Sequence, residues 1–370
     1  ETSSDTNPTI LPRRGDPDTG IGGASGDTIA LITNSLSRMV LDNNSRISLS
    51  NNDSGGDSSD GTSTSANTLL GYTAGTSLDA GSFFNTFIGH RVSDATMDNA
   101  LGNVGVGAEA LGGLTSGDSN VAIGYNAGAQ INSGSDNICI GKDAGDSLTT
   151  ELGSVFIGEC AGQKVQGGTT ASDGQVFIGK DAGQDIDTGE GNVAIGYQAL
   201  TVEDDGDFNT AIGHQALTAQ QGATPGAVGN TAVGYQSGFY TTTGSGNTYI
   251  GKQAGWGNAG TPPTGDNNTA IGLDAGKNLR GVAHSNTIVG ATAGDAMEAG
   301  IKNTILGFGS ETGNADCENQ TVIGYGVTSP DADNSVTLGN DDVDHVYAAS
   351  DSLDTAAGVV TGAILHAKDI

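Results

Sequence analysis

The sequence predicts an all-β protein whose main part is a parallel β-solenoid with coils of about 17 residues. Three observations support this fold class: a ten-residue motif that recurs along the chain, a glycine that returns at a nearly constant spacing, and an alternation of apolar residues beside that glycine. The motif GNVAIGYQAL at residues 191–200, for example, returns as SNVAIGYNAG at residues 119–128 and as NNTAIGLDAG at residues 267–276.

The repeat is defined by the glycine that follows an isoleucine, valine or leucine in each copy. This glycine occupies positions 71, 89, 107, 124, 141, 158, 179, 196, 213, 234, 251, 272, 290, 307, 324 and 339. Most intervals are 17 or 18 residues, and three are 21 because residues are added between one motif and the asparagine of the next. Additions confined to one segment predict a surface loop there. So short a unit, rich in Gly, Asn, Thr and Val, favours β structure over helix pairs.

Each coil is predicted to hold two short strands and a loop, with one strand ending at the repeat glycine. Stacked at about 4.8 Å per coil, the copies would form a rod about 75 Å long. Residues two apart in this strand, such as Val193 and Ile195, are apolar, which is typical of a strand with one buried face. We therefore expect the aliphatic residue before the glycine to form the repeat core. This set comprises Ile123, Ile140, Ile157, Ile178, Ile195, Ile212, Val233, Ile250, Ile271, Val289, Leu306 and Ile323.

Glycine and asparagine are the predicted turn residues. The repeat glycine allows a tight bend, and a second glycine, such as Gly128 or Gly145, supplies a positive φ. Asparagine opens the strand, where its side chain bonds backbone groups, and stacked coils would align these side chains as a ladder. The predicted turn residues are Gly124, Gly141, Gly158, Gly179, Gly196, Gly213, Asn120, Asn137, Asn192, Asn209, Asn230 and Asn247.

The strands predict an assembly of several chains. A core of Ile, Val, Thr and Ala is too thin for one chain, and the position between the two aliphatic residues is often apolar as well, as in Phe156, Phe177 and Tyr249. A strand that is apolar on both sides predicts burial against neighbouring chains. Rings of identical chains supply such burial, and we expect a homotrimer.

Composition excludes several function classes. The chain has 43 acidic and 13 basic residues and a net charge of -30, which disfavours nucleic acid as a partner. No apolar run is long enough to insert into a membrane. Three cysteines without CxxC spacing argue against disulfides and zinc, and predict small buried or half-buried residues. No nucleophile is matched with a base, so we expect no enzyme activity, cofactor or metal, although calcium in the acid-rich turns and a polysaccharide depolymerase stay open.

The repeats resemble those of two families of trimeric fibres. Motifs such as NTAIGHQAL at residues 209–217 and NSVTLG at residues 334–339 resemble the head repeat of trimeric autotransporter adhesins and, more closely, the repeats of tail-fibre proteins from tailed bacteriophages. Residues 15–49 are similar to a module found ahead of such repeats in phage fibres, and residues 336–350 look like the segment before a self-cleaving chaperone. The resemblance implies a left-handed β-roll formed by three chains.

The repeats and the resemblance together predict a non-enzymatic tail fibre of a phage virion, located outside the cell, with the solenoid as a stiff spacer. Its partners would be other virion structural proteins and a host cell-surface glycan or protein, without membrane insertion. A secreted bacterial trimeric adhesin or surface filament is the first alternative and a polysaccharide depolymerase is the second. The sequence has no segment like the adhesin neck, coiled-coil stalk or membrane anchor, which favours the phage family.

Aromatic residues in the longer loops are the candidate receptor contacts. Phe239 and Tyr240 lie in one loop, and Trp256, the single tryptophan of the chain, lies in the next. Exposed rings beside Asn and Asp suit stacking against a sugar, and the same rings suit packing between chains. The sequence leaves these two interpretations open.

Three regions are expected along the chain. Residues 1–66 combine a β attachment module with a Ser/Gly/Asp-rich junction. Residues 67–340 form the solenoid shaft, and residues 341–370 form a C-terminal cap, as the ends of solenoids require.

Overall fold

The computed structural model describes residues 20–22, 29–33, 36–41, 47–49, 67–79, 81–166, 173–202, 205–221 and 226–344. Its strands are β1 (Gly20–Gly22), β2 (Ile29–Thr33), β3 (Leu36–Leu41), β4 (Ile47–Leu49), β5 (Thr68–Leu70), β6 (Thr86–Ile88), β7 (Val104–Val106), β8 (Val121–Ile123), β9 (Ile138–Ile140), β10 (Val155–Ile157), β11 (Val176–Ile178), β12 (Val193–Ile195), β13 (Gly206–Asp207), β14 (Thr210–Ile212), β15 (Gly226–Ala227), β16 (Thr231–Val233), β17 (Thr248–Ile250), β18 (Thr269–Ile271), β19 (Thr287–Val289), β20 (Thr304–Leu306), β21 (Thr321–Ile323) and β22 (Val336–Leu338).

The first four strands form an antiparallel sheet in chain order, β1-β2-β3-β4. The ladder between β2 and β3 shifts register between Leu31 and Ile32. The few strands expected in the N-terminal region are therefore present where the structure describes it. The predicted junction at residues 51–66 and most of the predicted cap, residues 345–370, lie outside the described residues.

The parallel β-solenoid is confirmed. A 16-stranded sheet joins β5 to β12, β14 and β16 to β22 in chain order, and each strand pairs in parallel with the equivalent residues of the next coil, as Val193 does with Thr210. Each of the sixteen repeat glycines directly follows one of these strands. Fifteen strand-to-strand steps of about 4.8 Å make the sheet about 72 Å long.

Each coil contributes one three-residue strand to this sheet, so the expectation of two strands per coil is wrong. Among the described residues, the rest of the coil contains only isolated parallel bridges, such as Ser135 to Leu152, and the short pair β13 and β15. Its residues include left-handed positions such as Ser119 (φ 58°) and Asp136 (φ 61°). A ladder needs several consecutive extended residues, and these turns interrupt it.

The strand faces the opposite way from the prediction. Its central residue points into the coil: Ala194, Phe156, Phe177 and Tyr249 are all fully buried. The aliphatic residues predicted to form the core point outward instead. Ile123, Ile212, Ile250, Leu306 and Ile323 are exposed, whereas Ile140, Ile157, Ile178, Ile195, Val233, Ile271 and Val289 are half-buried.

One chain builds a continuous core of its own, so the expectation that a single chain is too thin is also wrong. Three side chains per coil supply this core: the central strand residue, a small residue three positions after the repeat glycine, and an aliphatic residue further on. In one coil these are Cys139, Ala144 and Leu148, all fully buried. The third member of the set lies in the loop segment, and in many coils it recurs seven positions after the repeat glycine, as Leu114, Ile131 and Leu148 do, a periodic signal that could have predicted it.

The asparagine ladder is confirmed. Asn120 donates Nδ2 to the carbonyl of Gly134 at 2.8 Å and to Asn103 Oδ1 at 3.1 Å. Its own Oδ1 accepts the backbone N–H of Asn137 at 3.1 Å. The predicted members Asn120, Asn137, Asn192, Asn209, Asn230 and Asn247 are fully buried. The rungs satisfy most of the polar groups that the coils remove from water, although Nδ2 of Asn209 has no hydrogen-bond partner among the described residues.

The repeat glycines are required by the close approach of the next coil. The six predicted ones, Gly124, Gly141, Gly158, Gly179, Gly196 and Gly213, have φ between 135° and 140°. A Cβ on Gly124 would lie 2.4 Å from the carbonyl oxygen of Gly141. The second glycines, Gly128 and Gly145, have φ of 54° and 57°, as expected.

Candidate functional site

The outer face of the 16-stranded sheet is the largest regular surface of the solenoid. We define it as the first and third residues of each of its strands. The third residue is Ile, Leu or Val in every strand, and the first is Thr, Val or Ile. Ile123 is 39% exposed and Leu306 is 45% exposed, so the single chain leaves these side chains in water.

None of the sixteen strands contains a charged residue. The acidic residues of this strongly anionic chain lie in the turns and loops of the described coils, for example Asp118 and Asp136. A long strip without charge, in which the third position is always aliphatic, is unusual on the surface of a monomer and makes the outer face a candidate contact surface.

A column of outward side chains follows the repeat glycines and borders the outer face. Aromatic rings stack along it: Tyr197, His214 and Tyr235 have successive centroid distances of 5.0 Å and 5.4 Å. His214 is exposed, as predicted. In other coils the column carries ion pairs, such as Lys180 Nζ to Glu159 Oε2 at 3.0 Å.

The structure brings together the three aromatic residues that were predicted as receptor contacts. Phe239 and Tyr240 meet edge to face with ring centroids 4.6 Å apart, and Tyr240 meets Trp256 at 5.1 Å. Lys277 Nζ lies 5.9 Å from the centre of the Trp256 ring. We call these four residues the aromatic cluster.

The rings of the aromatic cluster are half-buried against one another. Trp256 Nε1 is shielded from solvent and has no hydrogen-bond partner among the described residues. The segment after Trp256, residues 257–263, is called the insert. It folds back on the cluster, because a Cβ on Gly257 would lie 2.6 Å from Pro263 Cγ and 3.2 Å from Tyr240 Cβ. These contacts favour packing within one chain as the main role of the rings.

A cleft of about 340 Å³ lies directly after this insert and was missed by sequence reasoning. Its polar residues are Thr264, Asp266, Asn267 and His284. The sequence holds only a weak signal for it. Aspartate two positions before the ladder asparagine is common in this chain, as Asp118 and Asp207 show, so Asp266 looks like an ordinary turn residue.

Buried titratable groups outside these surfaces have structural explanations. Burial, reinforced by the adjacent Asp295, raises the pKa of Glu311 to about 8. Glu311 also accepts the backbone N–H groups of Asp295 at 2.9 Å and Ala296 at 3.3 Å, which ties two coils together. Burial raises the pKa of Cys139 to about 12, so its thiol is unreactive. As predicted, Cys139 and Cys317 are buried and Cys160 is half-buried.

No group of three or more metal-ligating side chains occurs in the part of the chain that the structure describes. A search of the same residues for a helix able to cross a membrane finds none. In comparisons with known proteins, no protein-family model matches the chain, and no curated protein sequence is significantly similar to it.

Proposed function

We propose that this chain is a non-enzymatic fibre subunit of a tailed-phage virion, in which three copies pack side by side through the outer face. The solenoid acts as a stiff spacer, and its loops contact a host cell-surface glycan or protein. The observation that carries the proposal is the outer face, which has no charged residue and keeps an aliphatic third position in all sixteen strands.

The outer face supports assembly because of its regularity. Thr231, for example, pairs in register with Thr248, and Val233 with Ile250, so the first and third positions form two straight columns. Straight columns of β-branched side chains offer an identical chain a complementary surface along the whole rod. The resemblance of the repeats to those of trimeric fibres supports three chains.

The assembly is tested with one substitution on the outer face and one control. Ile123→Asp places a carboxylate on the face, and burying it in a trimer costs several kcal/mol per chain. Gln130→Asp adds the same charge at an exposed position of the same coil, outside the sheet. Native mass spectrometry should show trimers for the wild type and the control, and monomers for Ile123→Asp. A wild-type monomer would overturn the assembly, and a dimer would overturn the three-chain arrangement.

The place of the fibre is tested with antibodies against the purified rod. They should bind tailed phage particles from the same source and block adsorption of those particles to their host. Binding to the surface of the bacterium instead would favour a secreted adhesin. Cleavage of a host polysaccharide by the purified rod would overturn the non-enzymatic assignment.

A further inference from the structure

The cleft beside the insert is formed by two neighbouring coils in parallel register. Pro263 bridges to Gly281, and Thr269 pairs with Thr287, an offset of 18 residues at both places. Asp266 and His284 therefore occupy equivalent positions, one coil apart. The complete lining is Thr264, Gly265, Asp266, Asn267, Val282 and His284.

Asp266 is held rigidly and keeps one carboxylate oxygen free. Its Oδ1 accepts the backbone N–H of Ser245 at 2.8 Å and the hydroxyl of Ser245 at 3.0 Å. The same cap recurs in other coils, where Asp118 Oδ1 accepts the N–H of Leu101 at 2.8 Å. Oδ2 of Asp266 makes no hydrogen bond to the described residues, so it is available to a ligand.

Two further polar side chains of the cleft have unused hydrogen-bonding capacity. The Asn267 amide makes no hydrogen bond to the described residues and is exposed. His284 uses Nδ1 in a 3.1 Å contact with Ser285 Oγ, which leaves Nε2 free. Val282 is 68% exposed and supplies an apolar wall. The cleft therefore offers four kinds of contact. Asp266 supplies an acceptor and Asn267 a combined donor and acceptor, while His284 supplies an imidazole nitrogen and Val282 an apolar surface.

We infer that this cleft binds one residue of a neutral saccharide. A pyranose presents adjacent hydroxyls, each a donor and an acceptor, beside an apolar C–H face, which matches Asp266, Asn267 and Val282. The volume of the cleft falls at the lower end of the range for small-ligand sites, about 300–1,000 Å³. The Asp266 carboxylate disfavours an anionic ligand. Asp266 and His284 are the only carboxylate or imidazole side chains of this lining, fewer than the ligand sets usual for a protein-bound metal ion.

The aromatic cluster has a positioning role in this arrangement. Pro263 is buried and its carbonyl accepts the N–H of Thr242 at 3.1 Å. Pro263 lies close to Gly257 and Tyr240, and this packing fixes the backbone position of the next residue, Thr264, which lines the cleft. Trp256 thereby acts through the insert and does not touch the saccharide. The inference rests on the proposed attachment function in one respect only, namely that the saccharide belongs to a host surface.

The test is saturation-transfer NMR on the full chain with a panel of free neutral hexoses, deoxyhexoses and N-acetylhexosamines at millimolar concentration. At least one sugar should give a signal. Asp266→Asn keeps the cap on Ser245 but removes the free carboxylate oxygen, and should weaken binding about tenfold or more, as expected for a lost charge-assisted hydrogen bond. Val282→Ser, at an exposed position, should weaken it as well without changing the melting temperature.

Asp118→Asn is the matched control, because it alters the same cap eight coils away from the cleft, about half the length of the solenoid. It should leave saccharide binding unchanged. No signal with any sugar, or equal binding by wild type, Asp266→Asn and Val282→Ser, would overturn the inference. Those outcomes would leave the trimer and the antibody results intact, so failure of the cleft is distinguishable from failure of the proposed function.

Discussion

Replacing Gly196 by alanine tests whether the repeat glycine is required by contact between coils. Gly196 has φ 135°, in a region that L-residues rarely adopt. A Cβ at this position would lie 2.5 Å from the carbonyl oxygen of Gly213 and 2.6 Å from its carbonyl carbon. Both contacts are with backbone of the next coil, so no side-chain rotation relieves them.

The expected cost is the sum of two effects. Holding alanine at this φ costs about 1–3 kcal/mol, and separating the two coils enough to admit the methyl group costs about 1–3 kcal/mol more. The total is about 2–6 kcal/mol. Gly153→Ala is the control, because Gly153 also has a positive φ, 66°, but its Cβ would have no heavy atom within 4 Å. That variant should lose only about 1–2 kcal/mol.

Thermal unfolding followed by far-UV circular dichroism measures the difference, with all proteins at the same concentration because an oligomer's midpoint depends on it. Gly196→Ala should melt at least several degrees below Gly153→Ala, given about 2–4 °C per kcal/mol for a large domain. A second transition is also expected, since a solenoid broken in the middle loses coupling between its halves. Equal midpoints for the two variants would refute the close-approach argument and leave backbone conformation as the whole reason for the glycine.

Three further predictions concern buried polar groups. Tyr249→Phe should change the free energy of unfolding by less than about 1 kcal/mol in denaturant titrations, because the hydroxyl has no hydrogen-bond partner among the described residues and phenylalanine fills this position in other coils; a loss of several kcal/mol would contradict this. Asn120→Ala should cost about 2–4 kcal/mol by the same assay, because the Gly134 carbonyl and the next rung lose their partners; a neutral result would contradict the ladder's role. The folded pKa of Glu311 is about 8, above its ordinary value of 4.5. The protonated side chain therefore stabilises the fold fully below about pH 4.5, and this contribution to the free energy of unfolding is lost as pH rises through 8. Glu311→Gln should therefore gain melting temperature relative to wild type between about pH 5 and about pH 9, and a constant difference would contradict the burial of this group.

The period and the positions of the strands could be predicted because each local signal is repeated sixteen times. A single Ile-Gly pair says little, but a glycine that recurs at a constant spacing identifies a place in every coil where two backbones approach closely. The Asn ladder follows from the same reasoning, since Asn120 and Asn137 must be stacked if Gly124 and Gly141 are. The fold class therefore required no information about distant contacts.

The cleft could not be predicted in this way, because it depends on a difference between coils. Asp266 has the same cap as Asp118, and only the neighbour in the following coil, His284 instead of Ser135, leaves space and free polar atoms beside it. Ser135 closes the equivalent position by accepting the N–H of Asp118 at 2.9 Å. Such a difference is visible only when residues at equivalent positions of neighbouring coils are compared.

The orientation of the strand was mispredicted because alternation defines two faces without saying which one is inside. A size relation within some coils, though not in all, contains part of the missing information. In the coils of Phe156 and Tyr249, the residue six positions later is glycine, and a Cβ there would lie 2.3–2.7 Å from the ring. Where the central residue is Gly105, the same later position holds Leu111, which is fully buried. Only residues that share one interior need to compensate in volume.

The same comparison strengthens the case for packing between chains. The inward position varies from Gly105 to Tyr249, whereas the outward third position stays aliphatic in all sixteen strands. Exposure to water would not require an aliphatic residue at every third position, because an exposed sheet can also carry charged side chains. This chain has many acidic residues that could occupy such positions, since its net charge is -30. A second surface pressed along the whole sheet does require it, because a single charged or bulky side chain would separate the two surfaces over several coils. Ile123 and its equivalents are thus the residues through which the proposed trimer would pack.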